Sequence, residues 1–290
     1  MPKIAVLGSG GFLGSPIVEA FVARDWEVVV FTRKLAASSF LQEFQVNLFD
    51  ELSLKSALKL ASPDVVLSTA WDTEHGKFWT NTSNVDYRDA TLRFAEMSFQ
   101  QGVETFVALG TMSEYGDSPG LCNAAFSPLI ETNIYSKSKI ATGLGLKSIG
   151  EAYGRETHWA RVFQAFGPNE KTERYIPGLI SSLRKGDKFS IRTPNFEMDW
   201  IHSIDVASAI AFMLENKLQH FVDIGTGVGT TVKELSELIC EEFDLDSSLL
   251  DYSEQILGHQ KKVVVDGSSQ LLSLGWRPAE SLRSRIKSLR

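Results

Sequence analysis

The feature that most constrains this chain is its opening, Lys3-Ile4-Ala5-Val6-Leu7-Gly8-Ser9-Gly10-Gly11-Phe12-Leu13-Gly14. Residues 4–7 form a short apolar run, long enough for one buried strand, and the run stops at a glycine. Phe12, Leu13, Ile17, Val18 and Phe21 then recur at helical spacing, so the stretch predicts strand, glycine turn and helix. Glycines at 8, 11 and 14 give G-x-x-G-x-x-G, a relative of the dinucleotide fingerprint G-x-G-x-x-G. Gly8 permits a tight turn and Gly11 lets backbone N–H groups approach a pyrophosphate. Gly14 allows close packing of helix on strand, and the helix N-terminus adds partial positive charge. Strand before and helix after favour a nucleotide turn over a merely flexible one.

At 290 residues, 43% hydrophobic and 22% charged, the chain has the composition of a soluble globule of one large domain or two modest ones. Its net charge of −7 argues against general nucleic-acid or anionic-membrane binding, both of which need a basic face. A phosphate-bearing small molecule needs only a local cluster and stays open. No apolar run approaches the roughly 20 residues of a membrane span. The N-terminal run is also too short and glycine-broken for a signal peptide. Cys122 and Cys240 lack metal-ligand spacing, so no disulfide framework is expected; a reducing compartment, the cytoplasm, is.

After the first helix, Glu27-Val28-Val29-Val30-Phe31-Thr32-Arg33-Lys34 reads as a β-branched strand ending in two cations. The dinucleotide pattern places an acid here to bind the ribose 2′-OH of NAD. Thr32, Arg33 and Lys34 instead offer a guanidinium that can fork onto a 2′-phosphate, which a carboxylate would repel. NADPH is therefore expected over NADH. A helix near 52–61, a strand at 64–71, a helix near 87–101 and a strand at 104–109 follow. Such alternation means right-handed βαβ units, a parallel sheet and a ligand at the strands' carboxyl ends.

Thr111 ends one of these strands, and Tyr135-Ser136-Lys137-Ser138-Lys139 opens the next helix. Tyr135 and Lys139 stand four apart and share a helix face. A free phenol titrates near 10 and is a poor base at neutral pH, but a cation one turn away would stabilise its phenolate. Tyr135 could then pass a proton to or from a carbonyl oxygen that Thr111 also holds.

These residues carry a resemblance. The chain is similar over essentially its whole length to the extended short-chain dehydrogenases/reductases of the NAD-dependent epimerase/dehydratase type. Thr111-Met112-Ser113-Glu114-Tyr115-Gly116 resembles that family's S/T-x-x-x-Y-G, and Tyr135-x-x-x-Lys139 its Tyr/Lys pair. Arg161-Val162-Phe163-Gln164-Ala165-Phe166-Gly167-Pro168 is like R-x-x-N-x-Y-G-P. Asp199-Trp200-Ile201-His202-Ser203-Ile204-Asp205-Val206-Ala207 and Leu274-Gly275-Trp276-Arg277-Pro278 match two later motifs. The resemblance implies an α/β fold: a Rossmann-type doubly wound parallel sheet with a smaller C-terminal substrate-binding α/β lobe. Residues 1–166 would form the dinucleotide-binding domain, with 199–224 returning to it, and 167–198 and 225–290 the lobe.

It also implies that Thr111, Tyr135 and Lys139 are catalytic, with Lys139 holding the nicotinamide ribose. Phe12 and Leu13 would lie on the pyrophosphate, Asn47 and Leu48 by the adenine, and Ala70, Trp71 and Asn84 near the nicotinamide half. Trp71, Thr111 and Gln164 would face substrate, a nucleotide sugar, and a homodimer would form through the helices starting near Asn84 and Tyr135. Family dehydratases carry Asp-Glu after the catalytic Thr, and GDP-fucose-synthase-like enzymes a Cys in that turn; here Met112 and Ser113 stand there. That leaves carbonyl/alcohol redox, either a reductase using NADPH or a 4-epimerase keeping NAD tightly bound, with Arg33 and Lys34 favouring the reductase. A non-catalytic dinucleotide sensor would have no need of Thr111, Tyr135 and Lys139 together. The family arginines that grip a diphosphate fall at Met198 and near Ile256, with Arg192, Lys261 and Lys262 as candidate substitutes.

Of the remaining residues, the aromatic loop 71–79, which includes His75, could line a sugar site or pack over the sheet edge. His202 reads as a structural hydrogen-bonder and Asp205 as a helix N-cap. The glycine run 224–229 reads as a turn of the small lobe, and the basic tail 283–290 as a solvated helix end.

Overall fold

A computed structural model of the chain describes residues 1–36, 40–74, 76–117, 119–252 and 261–290. Its first half runs β1 (Lys3–Leu7), α1 (Gly14–Val22), β2 (Glu27–Thr32), β3 (Gln42–Gln45), α2 (Glu51–Ala61), β4 (Val65–Ser68), α3 (Ser83–Gln100) and β5 (Thr105–Thr111). A single 3-10 turn, Met112–Tyr115, and β6 (Gly120–Cys122) precede α4 (Ile134–Tyr153) and β7 (Glu156–Val162). Then come β8 (Gln164–Phe166), α5 (Tyr175–Arg184), β9 (Phe189–Ile191), β10 (Glu197–His202), α6 (Ser203–Glu215) and β11 (Phe221–Ile224). The chain closes with β12 (Gly229–Thr231), α7 (Val232–Phe243), β13 (Leu250–Tyr252), β14 (Lys262–Val265), α8 (Gln270–Ser273) and α9 (Leu282–Lys287).

Seven strands form one parallel sheet in the order β11-β7-β5-β4-β1-β2-β3, the Rossmann-type doubly wound arrangement expected from the sequence. The strand order reverses between β1 and β4, and at such a switch point the loops diverge and leave a crevice at the carboxyl ends. Strand alternation sends Ile4 and Val6 into a core with α1 and α6, and Ala5 and Leu7 into a second core with α2, α3 and α4. A smaller sheet, β12-β10-β14-β6 with β8 beside β10, packs against a third core built from α5, α7 and α9. Thus β6, from within 1–166, pairs β14 in the small sheet, as β10 does, while β11 joins the large sheet and α6 its α1 face. No helix among the described residues is long and apolar enough to cross a membrane.

Two readings of individual residues change. The N-cap of α6 is His202, whose ring Nδ1 accepts from the Ile204 N–H at 3.2 Å, rather than Asp205. Asp205 lies one turn in and accepts a bidentate pair from Arg285, 2.9 and 2.7 Å, with both side chains buried. The basic tail is therefore not simply solvated: Arg285 carries an inward charge that the carboxylate neutralises, and the tail is pinned by it.

Candidate active site

The glycine turn is shaped by contacts that exclude a side chain. Gly8 has φ +88°, and a Cβ there would meet the Thr69 hydroxyl at 2.3 Å. At Gly14 a Cβ would lie 2.1 Å from the Gly8 carbonyl oxygen, so only glycine lets α1 start so close to the turn. Thr69, just after β4, donates its hydroxyl to the carbonyls of Leu7 and Gly8 at 3.2 and 3.1 Å, stitching the turn across the switch point. The helix starts at Gly14 rather than Phe12, with Leu13 as an N-cap that makes no side-chain capping bond. In that first turn the Ser15 N–H donates to the Gly11 carbonyl at 3.1 Å and Pro16 has no N–H, so what the turn offers an anion is the positive end of the helix and a cradle clear of side chains.

Two capping boxes fix the candidate acid–base residues. Thr111 ends β5 and caps the turn Met112–Tyr115: its Oγ1 accepts from the Ser113 N–H at 3.2 Å while the Glu114 carboxylate accepts from the Thr111 N–H at 2.9 Å. Asn133 and Ser136 cap α4 in the same reciprocal way, setting the first turn in which Tyr135 stands. The Thr111 hydroxyl donates to Ser113 Oγ at 3.3 Å and lies near enough to the Tyr135 phenol to favour its charged form. The pair expected from the sequence is therefore brought together.

Lys139 stands differently. Its Nζ donates to the Leu109 carbonyl at 2.8 Å and lies 3.7 Å from the centroid of the Trp71 ring, against 5.9 Å for the Tyr135 ring. It reaches β5 because α4 comes very close to the sheet: a Cβ on Gly143, one turn further along, would sit 2.9 Å from the Trp159 indole. Burial lowers the amine to about 7, opposed by the charge of Glu114. Burial, helped by the Glu114 charge, raises the Tyr135 phenol to about 12, with the nearby Thr111 hydroxyl and the Arg174 guanidinium pulling the other way. The lowering of the phenol expected from the Tyr/Lys spacing is thus not found. Desolvation dominates, and the cation acting on the phenol is Arg174 at the start of α5, not Lys139.

The aromatic loop covers this site rather than the sheet edge. Phe78 and Trp79 meet the Tyr135 ring edge-on at 4.8 and 5.5 Å, leaving Tyr135 7% exposed. Asn84, expected near the nicotinamide half, is committed to holding the loop. Its Oδ1 accepts from the Trp71 indole N–H at 2.8 Å, and its amide donates to the carbonyls of Phe78 and Asn81, both at 2.7 Å. His75 lies outside the described residues.

Beneath Thr111 is a polar network that the sequence reading missed. Fully buried Glu114 accepts from Arg161 Nε at 2.6 Å and from the Trp159 indole N–H, and the Tyr115 hydroxyl donates to Asp223 at 2.7 Å. Burial pushes the Asp223 carboxyl up to about 6. The one available signal was the polar Arg161 inside the otherwise apolar end of β7. Similarly, the 224–229 glycine turn is held by buried Asp199, which accepts from the N–H groups of Thr226, Gly227 and Val265 and from the Thr226 hydroxyl.

At the other end of the crevice, the Thr32 hydroxyl accepts from the Lys34 N–H, and Arg33 and Lys34 are exposed just past β2. The charge of Arg33 reaches the Tyr87 phenol, whose ring meets Phe49 edge-on at 5.0 Å and lies tilted against Trp71 at 5.7 Å. Asn47 is exposed in the turn after β3, whereas Leu48 is 6% exposed and packs into the second core. A hollow of about 560 Å³ beside Phe49 and Tyr87, walled by Asp72, Asp86 and Asp89, lies outside the Thr111–Tyr135 site. Phe12, Ala70 and Gln164 are each partly exposed, Gln164 opening β8 opposite Trp200. Of the candidate diphosphate cations, Lys262 is paired with Glu197 at 2.9 Å and Arg192 is exposed; the position near Ile256 lies outside the described residues.

The chain matches the model of the NAD dependent epimerase/dehydratase family over residues 4–225. It is 26% identical over 302 residues to a GDP-L-fucose synthase of Sinorhizobium fredii, covering 97% of this chain and 91% of that protein. It is 24% identical over 200 residues to the low-salt glycan biosynthesis protein Agl12 of Haloferax volcanii, 68% of this chain and 64% of that one, so it spans just under two-thirds of that relative's length. A crystal structure of Thermus thermophilus UDP-glucose 4-epimerase in complex with NAD superposes with a TM-score of 0.77 at 24% identity, covering 99% and 97% of the two chains.

Proposed function

This chain belongs to the NAD-dependent epimerase/dehydratase family, and on that premise we propose that it is an NADPH-dependent reductase of a nucleotide-activated 4-keto-6-deoxy sugar. The observation that carries the reading is the approach of Thr111, at the carboxyl end of β5, to a buried Tyr135 whose phenol it acts on. A phenol raised to about 12 holds its proton at neutral pH, which is the state required to protonate a carbonyl oxygen. Thr111 holds that oxygen and orients it towards the phenol. NADPH, when bound, supplies the hydride. The glycine turn would cradle its pyrophosphate, Arg33 and Lys34 its 2′-phosphate, and Lys139 its nicotinamide ribose. Phe78 and Trp79 keep water from the phenol, and Met112 and Ser113 supply no acid or base for eliminating water.

A second reading, a nucleotide-sugar 4-epimerase with resident NAD, is supported by the NAD-bound epimerase of the same fold. Release of nucleotide from the purified, denatured protein separates the two, since stoichiometric NAD would favour the epimerase. Loss of absorbance at the nicotinamide band with dTDP-, CDP- or GDP-linked 4-keto-6-deoxyhexoses tests the reductase. Good binding of NADP with no oxidation by any of them would move the substrate to another class. A homodimer through the outer faces of α3 and α4, where Leu144 is half exposed, completes the proposal and is checked by light scattering.

A further inference from the structure

The Lys139 side chain ends at an internal cavity of about 10 Å³ enclosed by Ser68, Trp71, Thr91, Leu109 and Trp159. Ser68 closes β4 and Thr91 lies in the middle of α3, so their hydroxyls enter from two different elements. Ser68 is 3% and Thr91 2% exposed, and neither hydroxyl has a hydrogen-bond partner among the described residues. One unsatisfied buried hydroxyl is costly, and two opening on the same small space beside an ammonium are a built polar site rather than a packing defect. An ammonium carries three donors, and Lys139 directs one to Leu109 and meets the π face of Trp71.

We infer that this cavity binds a single water molecule that accepts from Lys139 Nζ and bonds the hydroxyls of Ser68 and Thr91, making these two residues positioning groups for Lys139. The volume sits at the lower limit for one water, and three polar partners match what a buried water needs. Among the described residues Glu114 is the charged group acting on Lys139, and none of the residues lining the cavity is a carboxylate, so no carboxylate there does the work of holding the ammonium. Burial works against the charge, lowering the amine to about 7, and a water accepting from it opposes that loss. The hydroxyls therefore keep Lys139 charged and aimed in a pocket where its Coulomb support is weak.

The first test is a crystal structure of the whole protein at about 1.5 Å. One ordered water within hydrogen-bonding distance of Lys139 Nζ and the Ser68 and Thr91 hydroxyls is expected, and a dry cavity overturns the inference. The second test follows NADPH affinity against pH. Thr91→Val keeps the shape and removes the partner, and it is expected to lower the pH at which affinity falls by about one unit. Thr91→Ser is expected to restore the midpoint. A Val variant that is folded by circular dichroism with an unmoved midpoint refutes the positioning role. The pH test rests on the dinucleotide reading of the glycine turn. If NADPH does not bind at any pH that reading fails, and the crystallographic result alone decides the water site.

Discussion

Glu114 and Arg161 form an ion pair at 2.6 Å with side chains 0% and 2% exposed, directly under the turn that carries Thr111. Two charges in such a place are tolerated because both are further hydrogen-bonded: the Trp159 indole N–H and the Thr111 N–H donate to the carboxylate, and the guanidinium donates to the Tyr115 hydroxyl. Removing one member strands the other in a low dielectric. Glu114→Ala is therefore expected to destabilise the protein by roughly 3–5 kcal/mol. Urea unfolding measures it, and a loss below about 1 kcal/mol would show the network to be far weaker than its burial implies.

Tyr135→Phe keeps the ring between Phe78 and Trp79 and deletes only the proton. Turnover of a ketosugar should fall by about 10²- to 10⁴-fold with NADPH affinity unchanged. Thr111→Val should cost roughly 10- to 100-fold, the value of one hydrogen bond to a group gaining charge. Steady-state nicotinamide absorbance gives both numbers, and a Phe variant with normal kcat would remove Tyr135 from the chemistry.

Arg33 separates the two cofactors. Arg33→Ala should weaken NADPH binding about 10- to 100-fold while shifting NADH by no more than about twofold, because only NADPH carries the 2′-phosphate. Fluorescence titration with both cofactors checks this. Equal losses would mean that the guanidinium does not meet the phosphate.

His202 should set an acid limit on stability. Burial, with the Arg285 charge next, lowers its imidazole to about 4, while Asp205 and Glu280 act in the opposite direction. The unfolded chain, titrating near 6.5, binds the proton more readily than the folded one. Its contribution is thus intact above about pH 6.5 and is lost as the pH falls towards 4, reaching roughly 3 kcal/mol. His202→Asn retains an N-cap acceptor and should flatten that limb of a melting-temperature profile between pH 4 and about 7. An unchanged profile would place the acid sensitivity elsewhere, for instance among the carboxylates.

Local chemistry made much of this site legible in advance. A strand stopped by Gly8, a helix entered through Gly14, and Tyr135 and Lys139 one turn apart are statements about neighbours in sequence, and periodicity reads neighbours well. The difference at Lys139 is instructive. Spacing put it on the face of Tyr135, but whether its ammonium turns to the phenol or to Leu109 depends on how closely Gly143 lets α4 approach β7, a tertiary quantity. The same holds for Asn84, whose residue type fits a ligand contact but whose three hydrogen bonds all go to its own loop.

By itself, then, the sequence determined four of the large sheet's strands, β1, β2, β4 and β5, the glycine turn, the cationic end of β2 and the Thr, Tyr and Lys that could share one crevice, because each rests on side-chain period or residue type within a few positions. Only the tertiary structure decided which buried charges meet. Tyr115 finds Asp223 across 108 residues and Asp205 finds Arg285 across 80. Periodicity tells which way a side chain faces and carries no information about what stands opposite. Partners that far apart are chosen by packing, and packing also turned Lys139 away from Tyr135 and folded the aromatic loop over it.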